Sequence, residues 1–153
     1  MNPLSDIPIA LIPREEELDT STQPPSSQVL ALLQELRTML DTLITTGKSN
    51  SIDIRSLPLM PGDYDAIKHI LGAGEVTATV SAMGPTHIRE TQIPGIWWVM
   101  HCNINEEVLA EIIEVTSMPK ILQIPHVELQ HAGEWLMERI GKLTERSSAK
   151  PDA

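Results

Sequence analysis

His101 and Cys102 are the one place in the chain where two soft metal ligands adjoin, and they are the natural starting point for any chemistry. Neighbours on a strand point to opposite faces, so the pair cannot easily share one ion, and a packing role is the better reading. His126 and His131 stand five residues apart, which puts them on different sides of a helix, and no H-E-x-x-H pattern is present. His69 and His87 are isolated and read as surface or capping residues. The sequence has no G-x-S-x-G elbow, no phosphate-binding P-loop and no C-x-x-C pair. The glycine-rich run Leu71-Gly72-Ala73-Gly74-Glu75 precedes a strand and lacks the order of a dinucleotide fingerprint, so it reads as a helix stop followed by a tight turn. The sequence therefore predicts no catalytic residue, no bound metal and no cofactor. A small enzyme or metal-delivery protein built on His101 and Cys102 is the competing reading.

Composition narrows the classes further. The chain has 153 residues and a formal net charge of -10, which argues against a phosphate-backbone partner, since that requires clustered Lys and Arg. A single cysteine excludes an internal disulfide and a cysteine-only metal site within one chain. No basic leader with an apolar stretch opens the sequence, and no run of about 18 apolar residues occurs. A cytoplasmic protein with no membrane segment is expected. With no Phe, one Tyr and three Trp, the interior must be largely aliphatic.

The positioning elements follow from periodicity. Residues 1–25 hold five of the twelve prolines among Ser, Thr and acidic residues, and read as a flexible N-terminal arm. Its apolar run Ile7, Ile9, Ala10, Leu11, Ile12 suits either a docking segment or a strand that pairs with the domain. A single domain is expected over residues 26–144, with a polar tail over 145–153. Ser26 or Ser27 can cap a helix whose stripe runs from Val29 through Leu36 to Ile44 and stops at Gly47. That stripe could instead form a dimer seam, so a homodimer is a further expectation. Ile52 to Leu57 alternates as a short strand, and Asp63 can cap a short helix ending at Gly72. Val76 to Ala82, Ile88 to Ile93 and Ile96 to Cys102 read as three strands separated by Gly84-Pro85 and Pro94-Gly95. Residues 106–115 suit helix or strand equally. After Pro125, Leu129, Ala132, Leu136, Ile140 and Leu143 form another helix stripe.

Three segments in order carry a family resemblance. They are Ile70-Leu71-Gly72-Ala73-Gly74-Glu75-Val76-Thr77-Ala78, then Ile88-Arg89-Glu90-Thr91-Gln92-Ile93-Pro94-Gly95-Ile96-Trp97, then Ile113-Glu114-Val115 with Met118-Pro119. This succession resembles the C-terminal module of the HupH/HyaF hydrogenase expression/formation family, with its "LGxGEVSA", "IxETxxPGVWxV" and "EV...IP" stretches. Ala73 replaces a residue that is commonly acidic in the family, and Thr116 replaces a glycine. Longer members carry roughly two such modules, so this chain is similar to a short, single-module relative.

The resemblance implies an α+β fold in which an antiparallel meander of about four strands packs with two to three helices, and in which Val108 to Val115 is a strand returning from a hairpin. It also implies a non-enzymatic chaperone for maturation of a nickel-iron hydrogenase. Its partner would be a precursor hydrogenase subunit, held during iron-sulfur cluster assembly, with other maturation factors as further partners. The expected binding surface is Glu90, Thr91, Pro94, Gly95, Trp97 and Trp98, a turn flanked by aromatics. Trp97 and Trp98 point to opposite sides of a strand, so one is expected in the core and the other against a helix or partner. The plainer alternative buries both and leaves Pro94-Gly95 as an ordinary turn. A structural adaptor docking through its N-terminal arm is a third reading.

Overall fold

The computed structural model describes residues 24–149, so most of the expected N-terminal arm lies outside the described residues. Helix α1 (Ser27–Thr46) begins where the Ser26 side chain accepts the Val29 N–H at 3.3 Å, and ends at Gly47, whose φ of 71° lets the chain leave in the left-handed conformation. Strand β1 (Asn50–Asp53) is followed by helix α2 (Asp63–Leu71) and strands β2 (Thr77–Ser81), β3 (Pro85–Glu90), β4 (Ile96–Cys102) and β5 (Val108–Val115). Helix α3 (His126–Ser148) closes the described chain. The fold is α+β. All five strands join one antiparallel sheet in the order β1-β5-β4-β3-β2.

The expected strand over 52–57 is shorter and begins earlier. Asp53 turns its carboxylate back to accept the Arg55 N–H at 2.9 Å, and this bond starts a 3-10 turn over Ile54–Ser56 in place of further ladder. The chain still gains a fifth strand, because β1 pairs along β5 from Asn50 opposite Val115 to Asp53 opposite Ile112. Strand β3 also starts earlier than its expected Ile88 to Ile93. It opens at Pro85, tolerated at a strand's first position, and stops at Glu90, where the Thr91 hydroxyl takes over the turn. Asp63 is not the cap of α2. Gly62 holds that position, and the Asp63 carboxylate accepts the Met60 N–H at 2.8 Å to hold the preceding turn. The polar tail is helical as far as Ser148. Residues 108–115 form a strand, as the family resemblance implies.

Strand alternation gives the sheet two apolar faces. On the first, Ile96 and Trp98 of β4 join Ile113 and Val115 of β5 and Ile52 of β1 beneath Val29, Leu32 and Leu36 of α1 and Ile67 and Leu71 of α2. On the second, Ile88, Trp97 and Val99 pack with Ala78, Val80 and Leu122, the last carried across by a 3-10 turn over Lys120–Leu122. Central strand β4 is thus covered on both sides. Trp97 and Trp98 are each only 5% exposed, so neither is a surface aromatic and the expectation of one exposed tryptophan is corrected. Both are buried because the sheet has a core on each face. No helix among the described residues is long and apolar enough to cross a membrane.

Candidate functional site

The three motif segments meet in space because the loop after α2 is zipped onto the β3–β4 turn. The Gly74 N–H donates to the Glu90 carbonyl at 2.8 Å, the Gln92 N–H to the Leu71 carbonyl at 2.9 Å, and the Glu90 N–H to the Val76 carbonyl at 2.9 Å. Within the turn, the Thr91 hydroxyl donates to the carbonyls of Ile93 and Ile96 at 3.1 and 3.0 Å and accepts the Ile93 N–H at 3.2 Å. Thr91 is buried and fully used by the turn. Trp97 is tied from below, its Nε1–H donating to the Thr116 carbonyl at 3.0 Å, while the Thr116 N–H donates to the Gly95 carbonyl at 2.9 Å.

Two glycines make this junction possible for different reasons. Gly95 has φ +85°, which L side chains rarely adopt. Gly74 does not have the positive φ that its place after a helix suggested; a Cβ there would overlap the Thr91 carbonyl oxygen, so close backbone approach is its reason. Gly95→Ala is expected to cost about 1 kcal/mol through backbone strain. Gly74→Ala is expected to cost about 1–3 kcal/mol by forcing the two loops apart. Urea midpoints should show both losses. A wild-type midpoint for Gly74→Ala would mean that the loops separate without cost.

The outer surface of the junction is a shallow groove lined by Lys68, His69, Gly72, Ala73, Arg89 and Gln92. In a chain of net charge -10 this groups two fixed cations and a histidine beside a solvent-facing turn. Of the expected surface residues, Pro94 is exposed, Glu90 and Gly95 are half-buried, and Thr91, Trp97 and Trp98 lie beneath as support. Gln92 and Ile93 are the other exposed residues of the turn.

Beneath the groove lies a polar cluster that spacing alone did not reveal. Glu111 of β5 is buried at 5% exposure, and its Oε1 accepts the Tyr64 hydroxyl and, at 2.6 Å, the Trp98 Nε1–H. Lys68 Nζ is 3.8 Å from the same oxygen and lies 4.5 Å from the Tyr64 ring centroid and 5.3 Å from that of Trp98. The Tyr64 and Trp98 rings meet edge to face at 5.8 Å. Burial, with the Glu111 carboxylate as acceptor, pushes the Tyr64 hydroxyl well above its ordinary value. Since Glu111 is spent on donors from α2 and β4, the cluster fastens the helix to the sheet. The alternation of Glu111 with Ile113 and Val115 in β5 was the one signal that placed it on the buried face.

His101 and Cys102 stand at an irregularity in the β4–β5 register. His101 Nδ1 lies 2.9 Å from the Thr86 hydroxyl, while Cys102 is buried. Among the described residues no three His, Cys, Asp or Glu side chains gather in a way that could hold a metal ion. The arrangement is an exposed turn beside a shallow groove that carries two cations and a histidine.

Comparison with known proteins gives this geometry a setting. The family model for the C-terminal conserved region of the HupH hydrogenase expression protein matches residues 27–143. The hydrogenase expression/formation protein HupQ of Azotobacter chroococcum is 30% identical over 112 residues, covering 73% of this chain and 37% of that protein. The hydrogenase expression/formation protein HoxQ of Azotobacter vinelandii is 28% identical over 89 residues, covering 58% of this chain and 31% of that one. The chain thus spans about a third of the length of these curated relatives. The solved structure of the hydrogenase expression protein HupH from Thiobacillus denitrificans superposes with a TM-score of 0.72 at 35% identity, covering 78% of this chain and 99% of that one.

Proposed function

This chain belongs to the HupH hydrogenase expression protein family, and from that premise we propose that it is an accessory factor in hydrogenase maturation that works by binding a precursor subunit rather than by catalysis. The observation that carries the reading is the family match over residues 27–143, together with relatives named as hydrogenase expression/formation proteins. In the finer form of the proposal the client belongs to a nickel-iron hydrogenase in the cytoplasm and is held while its iron-sulfur clusters are assembled. The client meets the β3–β4 turn at Gln92, Ile93 and Pro94 and the groove cations Lys68 and Arg89. Thr91, Gly95, Trp97 and Trp98 hold that turn in shape, and Glu90 anchors the neighbouring loop through its carbonyl.

Arg89 is exposed and its side chain makes no hydrogen bond or ion pair among the described residues, so Arg89→Glu changes the groove's charge without touching the core. Tagged protein purified from cells making a hydrogenase is expected to bring down a precursor subunit. Arg89→Glu is expected to reduce that recovery by about tenfold, equivalent to about 1.4 kcal/mol of binding, at an unchanged melting temperature. Full recovery with the variant would move the client away from this groove. If no hydrogenase subunit co-purifies and hydrogenase activity survives deletion of the gene, the functional reading itself fails.

A further inference from the structure

Helix α3 is the one long element among the described residues that buries no residue. Its apolar stripe is nevertheless regular: Leu129, Ala132, Leu136, Ile140 and Leu143, with the four large members between 53% and 66% exposed. These positions lie at -7, -4, 0, +4 and +7 about Leu136, so the stripe reads the same in both directions. A two-fold interface requires that kind of self-complementarity, since residue i of one copy must meet residue j of the other and the reverse. The charges have the matching antisymmetry. Residues 126–138 carry Glu128, Glu134 and Glu138 and no Lys or Arg, whereas 139–148 carry Arg139, Lys142 and Arg146 against Glu145 alone. The helix dipole explains such a bias only in the first and last turns, while here it continues to the middle of the helix.

We propose that α3 is a homodimerisation helix that pairs antiparallel with α3 of a second copy, crossing at Leu136. In that register Leu129 meets Leu143 of the other copy, and small Ala132 meets Ile140. Glu128 and Arg146 are eighteen residues apart, five full helical turns, so they share one flank of the stripe. Antiparallel pairing brings Glu128 within two residues, about 3 Å along the axis, of Arg146 of the other copy. A parallel pair would stack the acidic halves on each other and the basic halves likewise. The seam from Leu129 to Leu143 is about 21 Å long and, with Trp135 along one flank, belongs to the smaller class of protein interfaces.

Sedimentation velocity of the full chain over about 1 to 200 µM is expected to show monomer passing to dimer. Leu136→Glu should leave a monomer throughout that range with an unchanged melting temperature, because α3 buries nothing against the domain. Glu128→Arg should weaken the dimer by about tenfold, and adding Arg146→Glu should restore it. In a Cys102→Ser background, Leu136→Cys should be joined to its own kind by a short bismaleimide, and Glu134→Cys, on the opposite side of the helix, should not. A wild-type chain that stays monomeric, as it would if the stripe served residues 1–23 or a different protein, overturns the proposal. So does a dimer that survives Leu136→Glu.

Discussion

Trp98→Ala is expected to remove about 3–5 kcal/mol of stability, a large part of what a domain of this size has, and to leave a substantial unfolded population at moderate temperature. Trp98 sits where β4 meets both helices' apolar faces, in the cluster with Leu36, Ile67, Ile96 and Ile113. The other buried residues of that cluster are aliphatic, and the one neighbouring ring, Tyr64, is held by its hydrogen bond to Glu111, so the cavity is not readily refilled. The substitution also strips Glu111 of a buried donor. Trp98→Phe separates the two effects, since it keeps most of the packing and loses only the Nε1–H, at about 1–3 kcal/mol. Urea unfolding should rank the proteins wild type, then Trp98→Phe, then Trp98→Ala. A Trp98→Ala midpoint within experimental error of wild type would show that the first-face core is held by its aliphatic residues alone.

That ranking bears on how the tryptophan pair could be read in advance. Alternation correctly sends Trp97 and Trp98 to opposite sides of β4, but alternation says nothing about whether the second side is covered. Coverage depends on Leu122, more than twenty residues downstream and crossing the far face after β5. The long helices and the strongly alternating strands were legible because each is written in a local period: Ser26 and Gly47 bracket α1, and β4 is continuous with its β-favouring run. Boundaries governed by one side chain were not. Asp53 ends β1 and Thr91 ends β3 through bonds to backbone groups two residues on, and neither bond is written in a local period. The α3 stripe was visible as a helix, yet its periodicity could not show that the chain's own core leaves it uncovered.

The site divides in the same way. The run Leu71 to Glu75 was legible as a helix stop with a tight turn and Pro94-Gly95 as a turn between strands, whereas the cations of the groove come from α2 and β3 and adjoin only because Gly72 to Val76 folds back on Glu90 to Gln92. Lys68 and Arg89 are remote in sequence and neither stands in a charged run. The buried Glu111 cluster was less legible still, since its partners come from α2 and β4, the nearest of them thirteen residues away.

Glu111→Ala is therefore expected to cost about 2–5 kcal/mol, comparable to losing a core side chain although only a surface-type residue is removed. The Trp98 Nε1–H would be left buried with no acceptor, and the Tyr64 hydroxyl would lose its carboxylate; Lys68, more open to solvent, can turn outward, so its share of the loss is small. Glu111→Gln keeps an acceptor oxygen and should lose less than half as much. Alkali probes the same contact from the Tyr64 side. Burial first, and then the hydrogen bond to Glu111, raise the phenol above its ordinary value, so the folded state retains a proton that the unfolded chain releases near pH 10. The unfolded state then binds fewer protons than the native state, and stability falls as pH rises. The stabilisation is present in full below about pH 10 and erodes above it. Urea midpoints measured from about pH 8 to 11 should fall more steeply for wild type than for Tyr64→Phe, which isolates this phenol from the lysines that titrate alongside it. Parallel curves for the two proteins would show that Tyr64 ionises without opposition from Glu111, and a Glu111→Ala midpoint close to wild type would show that the donors around it find water instead.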